Sequence, residues 1–299
     1  MRIVIGVDGS SASAVACDLV ASRPWPIGTR VSLVAALEPA VDWTGLSPVD
    51  SEVLESERGA LEMVLEDGAA SLRRCGLAVE TFVELGRAAD VLMSHADETF
   101  ADLIVVGSRG LGPAASAVFG SVSAHLVDHA ACPVLVARSP AAHRMLLATD
   151  GTESSRSIPR VLAAWRDAFR SLPVEVLTVA PRDLFVTPWS DERLADDELV
   201  EHEGIAEEVA SDMARLGWDA IAVARRGEPQ REIVEESRHC GADLIVTGSR
   251  GIGTLRRLLG GSVAHDVLLH ARSSLLVVRG HVPAHITENA RVVAMLAAI

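Results

Sequence analysis

The chain contains no lysine, and all 27 of its lysine-or-arginine residues are arginine. A phosphate-binding loop of the Walker type needs a lysine, so this absence excludes that loop. It also excludes Schiff-base chemistry and the usual kinase lysine. Tyrosine is absent as well. Any phosphate bound by this protein must therefore be held by backbone amides, by serine or threonine hydroxyls, by arginine or by a metal ion.

Long apolar runs and a positive charge balance are also missing. No run approaches the roughly 18 apolar residues of a membrane span, and we expect neither a signal peptide nor a membrane partner. The formal net charge is −14, which argues against a nucleic-acid partner. The cysteines are few and form no CxxC pair, so they predict separate reduced thiols in a cytoplasmic protein. They are Cys17, Cys75, Cys132 and Cys240.

In place of a lysine loop, the chain has a glycine-rich stretch that occurs twice. Residues 107–113 read Gly-Ser-Arg-Gly-Leu-Gly-Pro and precede Gly120-Ser121, and residues 248–254 read Gly-Ser-Arg-Gly-Ile-Gly-Thr and precede Gly261-Ser262. The spacing is Gly, two residues, Gly, nine residues, Gly-Ser in both copies, which start 141 residues apart, at 107 and 248. Each copy follows the run Ala-Asp-Leu-Ile-Val, which predicts a buried parallel strand.

A strand that ends in glycines and is followed by a helix is suited to hold phosphate. Glycine lets the backbone approach an anion, and a helix start adds unpaired N–H groups and the positive end of its dipole. The alternative is a strand-to-helix connection that needs turn residues only. One glycine cluster is weak support for a phosphate site, but two copies with the same spacing favour it.

The order of predicted elements repeats together with the glycine stretch. In each half, apolar runs typical of buried strands alternate with amphipathic segments typical of helices. This alternation indicates a parallel sheet covered on both faces. We therefore predict an α/β chain of two tandem domains, residues 1–140 and 141–280. The tail, residues 281–299, is predicted to contain a short helix that docks on its own protein or binds a partner.

Further motifs accompany the glycine stretches. They are Val7-Asp8-Gly9-Ser10 with Ser13, Gly86-Arg87-Ala88-Ala89 and residues 129–136, then Thr149-Asp150-Gly151-Thr152 with Ser155, and Gly227-Glu228-Pro229. With the glycine spacing, they resemble the universal stress protein family in its tandem, two-domain, ATP-binding form. The resemblance covers residues 1–279. It implies that each domain is doubly wound, with a five-stranded parallel sheet in the order 3-2-1-4-5 and helices on both faces.

The resemblance also implies an ATP site, with Mg²⁺, in each domain. Val7 and Ala36 would border the adenine, Asp8 would contact the ribose or order a metal ion, and the glycines would admit the sugar and phosphates. The residues at the start of the following helix, from Gly120 to Ser123, would give N–H groups and hydroxyls to the phosphates. Arg109 would add a clamp on phosphate, or else would be a solvated loop residue; Asp8 could instead only cap the next helix. The implied site residues of the first domain are Val7, Asp8, Gly9, Ala36, Gly107, Ser108, Arg109, Gly110, Gly112, Gly120, Ser121, Val122 and Ser123. Those of the second are Thr149, Asp150, Gly151, Val179, Gly248, Ser249, Arg250, Gly251, Gly253, Gly261, Ser262 and Val263.

The second copy departs from the first at three positions. Ala148 stands where the first copy has Gly6, Ala264 stands for Ser123, and Gly260 stands for Phe119. A lost hydroxyl contact to a charged phosphate costs about 1.5–3 kcal/mol, or roughly one to two decades in affinity. We therefore expect two nucleotide sites, of which the second is weaker.

The motifs supply phosphate binding but no evident base aimed at a γ-phosphate. We expect His125 and His129 to face solvent or to pack, so no catalytic residue is assigned. The predicted function is an ATP-binding stress-response regulatory protein with at most slow ATP hydrolysis. One alternative is an adenylating or electron-transfer enzyme on a related fold, although the loops that could build its substrate pocket are short. The other is a nucleotide-free dimeric scaffold.

The fifth predicted strands are apolar and carry no protecting charge. Exposed strand edges of this kind pair with other strands. The resemblance implies that the two domains join through these strands, residues 134–136 and 275–278. We further expect a homodimer and a regulatory protein partner that the sequence does not name.

Overall fold

The computed structural model describes residues 1–38, 51–109, 120–181, 192–249 and 263–279. The tail and the predicted site residues Gly110, Gly112, Arg250, Gly251, Gly253, Gly261 and Ser262 lie outside these ranges. The chain divides into two compact units, of which the first ends at Ala141 and the second begins at Ala142. Within the described ranges, no helix has the length and hydropathy needed to cross a membrane.

The first unit is a parallel sheet with helices between its strands. Its elements are β1 Arg2–Gly6, α1 Ser11–Ala21, β2 Arg30–Leu37, α2 Ser51–Arg74, β3 Ala78–Leu85, α3 Ala88–Thr99, β4 Leu103–Gly107, α4 Ser121–His129 and β5 Val134–Ala137. The strand order is β3-β2-β1-β4-β5, and all neighbours are parallel. Helix α1 packs on α2, and α3 packs on α4. Because the order reverses between β1 and β4, right-handed crossovers place these two helix pairs on opposite faces.

The second unit has the same architecture. Its elements are β6 Met145–Ala148, α5 Glu153–Arg156, α6 Ile158–Ala164, α7 Arg166–Phe169, β7 Val174–Pro181, α8 Glu192–Arg215, β8 Ala220–Gly227, α9 Pro229–His239, β9 Leu244–Ser249, α10 Val263–His270 and β10 Ser274–Arg279. The order is β8-β7-β6-β9-β10, which is again 3-2-1-4-5. All neighbouring strands are parallel. The predicted fold class is thus confirmed.

The sequence pattern predicts one helix over about residues 154–169, and the structure has three short helices there. Pro159 lies in the first turn of α6 and has no N–H group to continue the ladder from α5. Trp165 then departs from helical dihedral angles, with φ −109° and ψ 26°. These two residues divide the segment.

Strand β8 is longer than the four residues predicted, 220–223, and includes Arg225 and Arg226. Charged residues weaken a strand pattern, which is why the end of β8 escaped prediction. Arg225 is accommodated because its Nε lies 2.6 Å from a carboxylate oxygen of Glu236 on α9.

The aspartate of each Ala-Asp-Leu-Ile-Val run has a structural task. Asp102 accepts a hydrogen bond from the Arg2 amide at 2.6 Å. Asp243 accepts from the amides of His143 at 2.8 Å and Arg144 at 3.1 Å. Each carboxylate therefore fixes the start of the first strand of its own unit, away from the strand ends where a ligand would bind.

Candidate functional site

The chain reverses its course across the first sheet between β1 and β4. These strands are paired, with Ile3 opposite Leu103 and Ile5 opposite Val105. After β1 the chain runs towards β2, and after β4 it runs towards β5, so their carboxyl ends flank a crevice. In open α/β sheets, ligands bind at this switch point.

One wall of the crevice is the turn that follows β1. The Val7 amide donates to the Val34 carbonyl at 2.9 Å and extends the pairing with β2. Asp8 Oδ1 accepts from the Ser10 amide at 3.0 Å, and Gly9 has φ 79°, a value that favours glycine. Ser10, not Asp8, caps α1: its Oγ accepts from the Ser13 amide at 3.1 Å. Asp8 thus shapes the turn without being the helix cap.

The opposite wall starts at Gly107, the last residue of β4. A Cβ atom built on Gly107 would lie 2.5 Å from the carbonyl carbon and oxygen of Ala12 in α1. The first turn of α1 therefore packs directly on this glycine. Gly107 has a structural reason to be glycine that is independent of any ligand.

The N-terminus of α4 completes the crevice. Gly120 is its N-cap residue, with φ −78° and ψ 131°, and no side chain caps the helix there. The Gly120 amide donates to the Ser108 carbonyl at 3.2 Å. The next amides, those of Ser121, Val122 and Ser123, have no hydrogen-bond acceptor among the residues that the structure describes. They form a cluster of open donors at the positive end of the helix.

Ser123 differs from its predicted role in one respect. Its Oγ donates to the Gly120 carbonyl at 3.0 Å, and the residue is buried. In this conformation the hydroxyl hydrogen is used within the first turn of α4, which it braces. In the second unit the equivalent residue is the buried Ala264, which lacks this brace.

Two arginines lie at the same edge of the sheet. The Ser108 amide donates to the Ala137 carbonyl at 3.2 Å, which brings Arg109 and Arg138 to adjacent strand ends. Burial, and after it the positive charge of Arg109, lowers the pKa of Arg138. The sequence prediction included Arg109 but missed Arg138. The available signal was an arginine directly after the apolar fifth strand in both copies, Arg138 and Arg279.

The remaining side of the crevice is formed by the end of β2, where Ala36 is half-buried. The Gly86 amide donates to the Leu37 carbonyl at 3.0 Å. Glu38 Oε1 accepts from the Ala88 amide at 2.8 Å and so satisfies a donor at the start of α3. The Gly-Arg-Ala-Ala motif thus links the start of α3 to the end of β2 by hydrogen bonds. Glu38 is a second residue at this crevice that the sequence prediction missed.

The second unit repeats the turn after its first strand with more hydroxyl groups. The Thr149 amide donates to the Leu177 carbonyl at 2.9 Å. Asp150 Oδ1 accepts from the Thr152 amide at 3.1 Å, from Thr152 Oγ1 at 2.6 Å and from Ser155 Oγ at 2.9 Å. Asp150 is therefore held by side-chain hydroxyls as well as by the backbone.

The other predicted residues of the second crevice that the structure describes lie at or near strand and helix ends and are buried or half-buried. Ser249 is buried at the end of β9, and Val179 and Val263 are half-buried. Gly248, the residue before Ser249, is also half-buried. Gly151 has φ 71°, and a Cβ atom there would lie 3.1 Å from Ile205 of α8. Helix α8 thus packs against the turn that contains Gly151.

No group of three or more histidine, cysteine, aspartate or glutamate residues in the described ranges is arranged to hold a metal ion. A metal ion at the crevice would therefore need oxygen atoms from a bound ligand in addition to Asp8 or Asp150. Mg²⁺ is bound in this manner in many nucleotide sites, by one or two carboxylates together with substrate phosphates.

Comparison with known proteins agrees with this architecture. The chain matches the model of the Universal stress protein family twice, over residues 1–138 and 142–279. It is 28% identical over 292 residues to a universal stress protein of Mycobacterium tuberculosis, covering 93% of this chain and 96% of the relative. A relative from Mycolicibacterium smegmatis is also 28% identical, over 291 residues, with the same coverage. A crystal structure of a universal stress protein from Archaeoglobus fulgidus shares the fold, with a TM-score of 0.66, 16% identity, and coverage of 94% and 98% of the two chains.

Proposed function

Since this chain belongs to the universal stress protein family, we propose that it is a regulatory stress-response protein that binds ATP with Mg²⁺ in both units. The nucleotide lies in the crevice between the first and fourth strands of each unit. The first site is tighter than the second, because the Ser123 hydroxyl braces the first turn of α4, whereas Ala264 has no hydroxyl to brace the corresponding turn. The protein acts by binding, with at most slow ATP hydrolysis.

The observation that carries this proposal is the start of α4. Its open amides of Ser121, Val122 and Ser123 lie at the same sheet edge as the Asp8 turn. Ser10 Oγ approaches the Arg109 carbonyl oxygen to 3.5 Å, so the two walls of the crevice meet. A helix N-terminus with open amides stabilises a bound phosphate, and lysine is not required for it.

Each wall supplies a different part of the ligand chemistry. The helix amides and Arg109 bind phosphate oxygens, and Arg138 adds a second guanidinium, which suits a polyphosphate better than a single phosphate. The Asp8 carboxylate orders Mg²⁺ or contacts the ribose. Val7 and Ala36 border the adenine. In the second unit, Asp150 and the Gly248-Ser249 end of β9 take the corresponding roles.

The proposed site lacks the parts of an efficient phosphoryl-transfer enzyme. Such an enzyme needs a residue that positions the attacking water or acceptor. His125 and His129 face one another on α4, with ring centroids 4.3 Å apart, and His129 Nδ1 contacts the His125 carbonyl. They are thereby engaged with each other and are assigned no catalytic role.

The proposal extends to assembly and location. The domains are residues 1–140 and 141–280, with the tail 281–299 beyond them. We propose that the protein is a homodimer in the cytoplasm and that this dimer binds a regulatory protein partner. The joining of the two domains through their fifth strands stays a prediction.

The deciding experiment is the identification of nucleotide released when freshly purified protein is denatured. We expect an adenine nucleotide, and we expect MgATP to raise the melting temperature of the emptied protein. Asp8→Asn should weaken MgATP binding in the first unit, because it removes the charge while keeping an oxygen that can accept from the Ser10 amide. Gly59→Ala is the control, since a Cβ at that position would meet no atom within 4 Å other than those of its chain neighbours and the adjacent α2 backbone. Protein that releases no nucleotide and is not stabilised by millimolar MgATP would leave the nucleotide-free scaffold as the better interpretation.

A further inference from the structure

Two histidines lie four residues apart on α4, one in the middle of the helix and one at its last residue. Residues with this spacing project from the same face of a helix. The ring centroids of His125 and His129 are 4.3 Å apart, and their planes are inclined by only 22°. His129 is exposed and His125 is half-buried, so solvent reaches the pair.

The protonation pattern of His129 follows from one contact. Its Nδ1 lies 3.0 Å from the His125 carbonyl oxygen. Because a carbonyl oxygen only accepts, Nδ1 must carry the hydrogen, and the neutral ring keeps a lone pair on Nε2. Histidines that bind metals use the same arrangement, in which the second nitrogen donates to a carbonyl or carboxylate and fixes the ring.

We propose that His125 and His129 form a surface binding site for a divalent transition-metal ion that prefers imidazole ligands, the class of Zn²⁺, Ni²⁺ and Cu²⁺. Imidazole suits these ions, whereas Mg²⁺ and Ca²⁺ prefer oxygen ligands. The site has two protein ligands, so its other coordination positions are open to water or to another ligand. The negative end of the α4 dipole and the net charge of −14 favour a cation there.

The same chain contains two helical histidines that serve as internal comparisons. His270 Nδ1 contacts the Asp266 carbonyl at 2.8 Å on α10, and His202 Nδ1 contacts the Glu198 carbonyl at 3.1 Å on α8. Both have the ring orientation of His129, but a carboxylate residue stands where α4 has a second imidazole. His270 and Asp266 occupy the positions of His129 and His125, each 141 residues later.

This site goes beyond the proposed function and does not depend on it. The nucleotide crevice uses the amides of Ser121, Val122 and Ser123, whereas the histidines are the fifth and ninth residues of this nine-residue helix. The midpoints of the two sets therefore lie roughly 7–8 Å apart along the helix axis. A protein that binds no nucleotide can still bind the metal ion.

The test is a calorimetric titration of Zn²⁺ into the nucleotide-free full-length protein. All variants carry Cys75→Ser, since cysteine thiolates are zinc ligands and the Cys75 thiol is exposed. We expect one site with two histidine ligands, lost or weakened by His129→Gln. Loss of a second-shell partner alone costs about 10–100-fold in metal affinity, so loss of a ligand should cost at least that much. His202→Gln should leave the affinity unchanged.

A gain-of-binding variant makes the test independent of any damage to α4. Asp266→His places a second imidazole four residues before His270, and we expect it to raise the Zn²⁺ stoichiometry from one to two. Equal Zn²⁺ affinity in His129→Gln and the parent protein would overturn the proposal, as would an Asp266→His variant that gains no site.

Discussion

His95 on α3 and Glu84 on β3 are joined by a contact of 2.6 Å between Nδ1 and a carboxylate oxygen. In the second unit, Glu236 and Arg225 occupy the same two positions, each 141 residues later, with a 2.6 Å contact between Nε and a carboxylate oxygen. The acidic partner is on the strand in the first unit and on the helix in the second. The link between the third strand and the following helix is thus kept, although its acidic residue has moved from the strand to the helix.

The first prediction concerns the pair in the second unit. Glu236 is buried, and removing Arg225 would leave its carboxylate without its ion-pair partner. Arg225 is partly exposed, so we expect Arg225→Ala to lower the free energy of unfolding by about 1–3 kcal/mol. Chemical denaturation measures this loss.

The control for this prediction is Arg231→Ala on the same unit. Arg231 forms an exposed ion pair with Glu235, four residues away on α9, and such exposed pairs contribute little to stability. Equal losses for the two variants would show that the Arg225–Glu236 pair does not tie β8 to α9.

The second prediction concerns pH. Burial, followed by the charge of Glu236, raises the pKa of Glu175 on β7. A carboxyl group whose pKa is higher in the folded state stabilises the fold below its unfolded pKa, and this contribution is lost as pH rises through the folded pKa. We therefore expect the wild-type protein to lose unfolding free energy, relative to Glu175→Gln, as pH rises above the usual carboxyl range.

The measurement is a series of denaturant titrations of both proteins at several pH values. Glu80→Gln serves as the matched variant, because Glu80 is exposed on β3. If the difference between wild type and Glu175→Gln does not change with pH, the raised pKa is refuted.

The third prediction tests the close approach of α1 to β4. A Cβ atom on Gly107 would lie 2.5 Å from the Ala12 backbone, which cannot move without displacing the first turn of α1. We expect Gly107→Ala to cost about 1–3 kcal/mol, the usual range for overpacking. Gly59→Ala in the open middle of α2 should instead stabilise the protein by up to about 1 kcal/mol. A Gly107→Ala protein as stable as the wild type would contradict the packing described here.

Most of the fold was predictable because its determinants are local and occur twice. The buried strands are short apolar runs, Ser10 caps α1, and the glycine spacing is preserved between copies. What escaped prediction depends on tertiary contacts. Arg225 is accommodated in a strand because it forms an ion pair with Glu236. Pro159 divides a segment whose apolar pattern indicates one helix.

The candidate site was predictable to a similar extent. The sequence identified the Asp8 turn and the Gly120 helix start, since both are glycine-containing motifs. It did not identify Glu38, which satisfies the Ala88 amide across 50 residues, because no local pattern records that contact. It also assigned the Ser123 hydroxyl to phosphate, whereas the described conformation has that hydroxyl on the Gly120 carbonyl.

The last prediction concerns Arg138, which in the proposed function adds a second guanidinium suited to a polyphosphate, and which we therefore expect to contact the outer phosphates of ATP. Arg138→Gln keeps polar length but removes the charge, and a hydrogen bond to a charged group contributes about 1.5–3 kcal/mol. We expect ATP to bind roughly one to two decades more weakly to the first unit, while AMP, which does not reach the outer phosphate positions, loses little. Calorimetric titration with each nucleotide measures this, and Arg74→Gln at the exposed end of α2 is the control. Equal losses for ATP and AMP at an unchanged melting temperature would place the arginine near the sugar or inner phosphate, and no loss for either would remove it from the site.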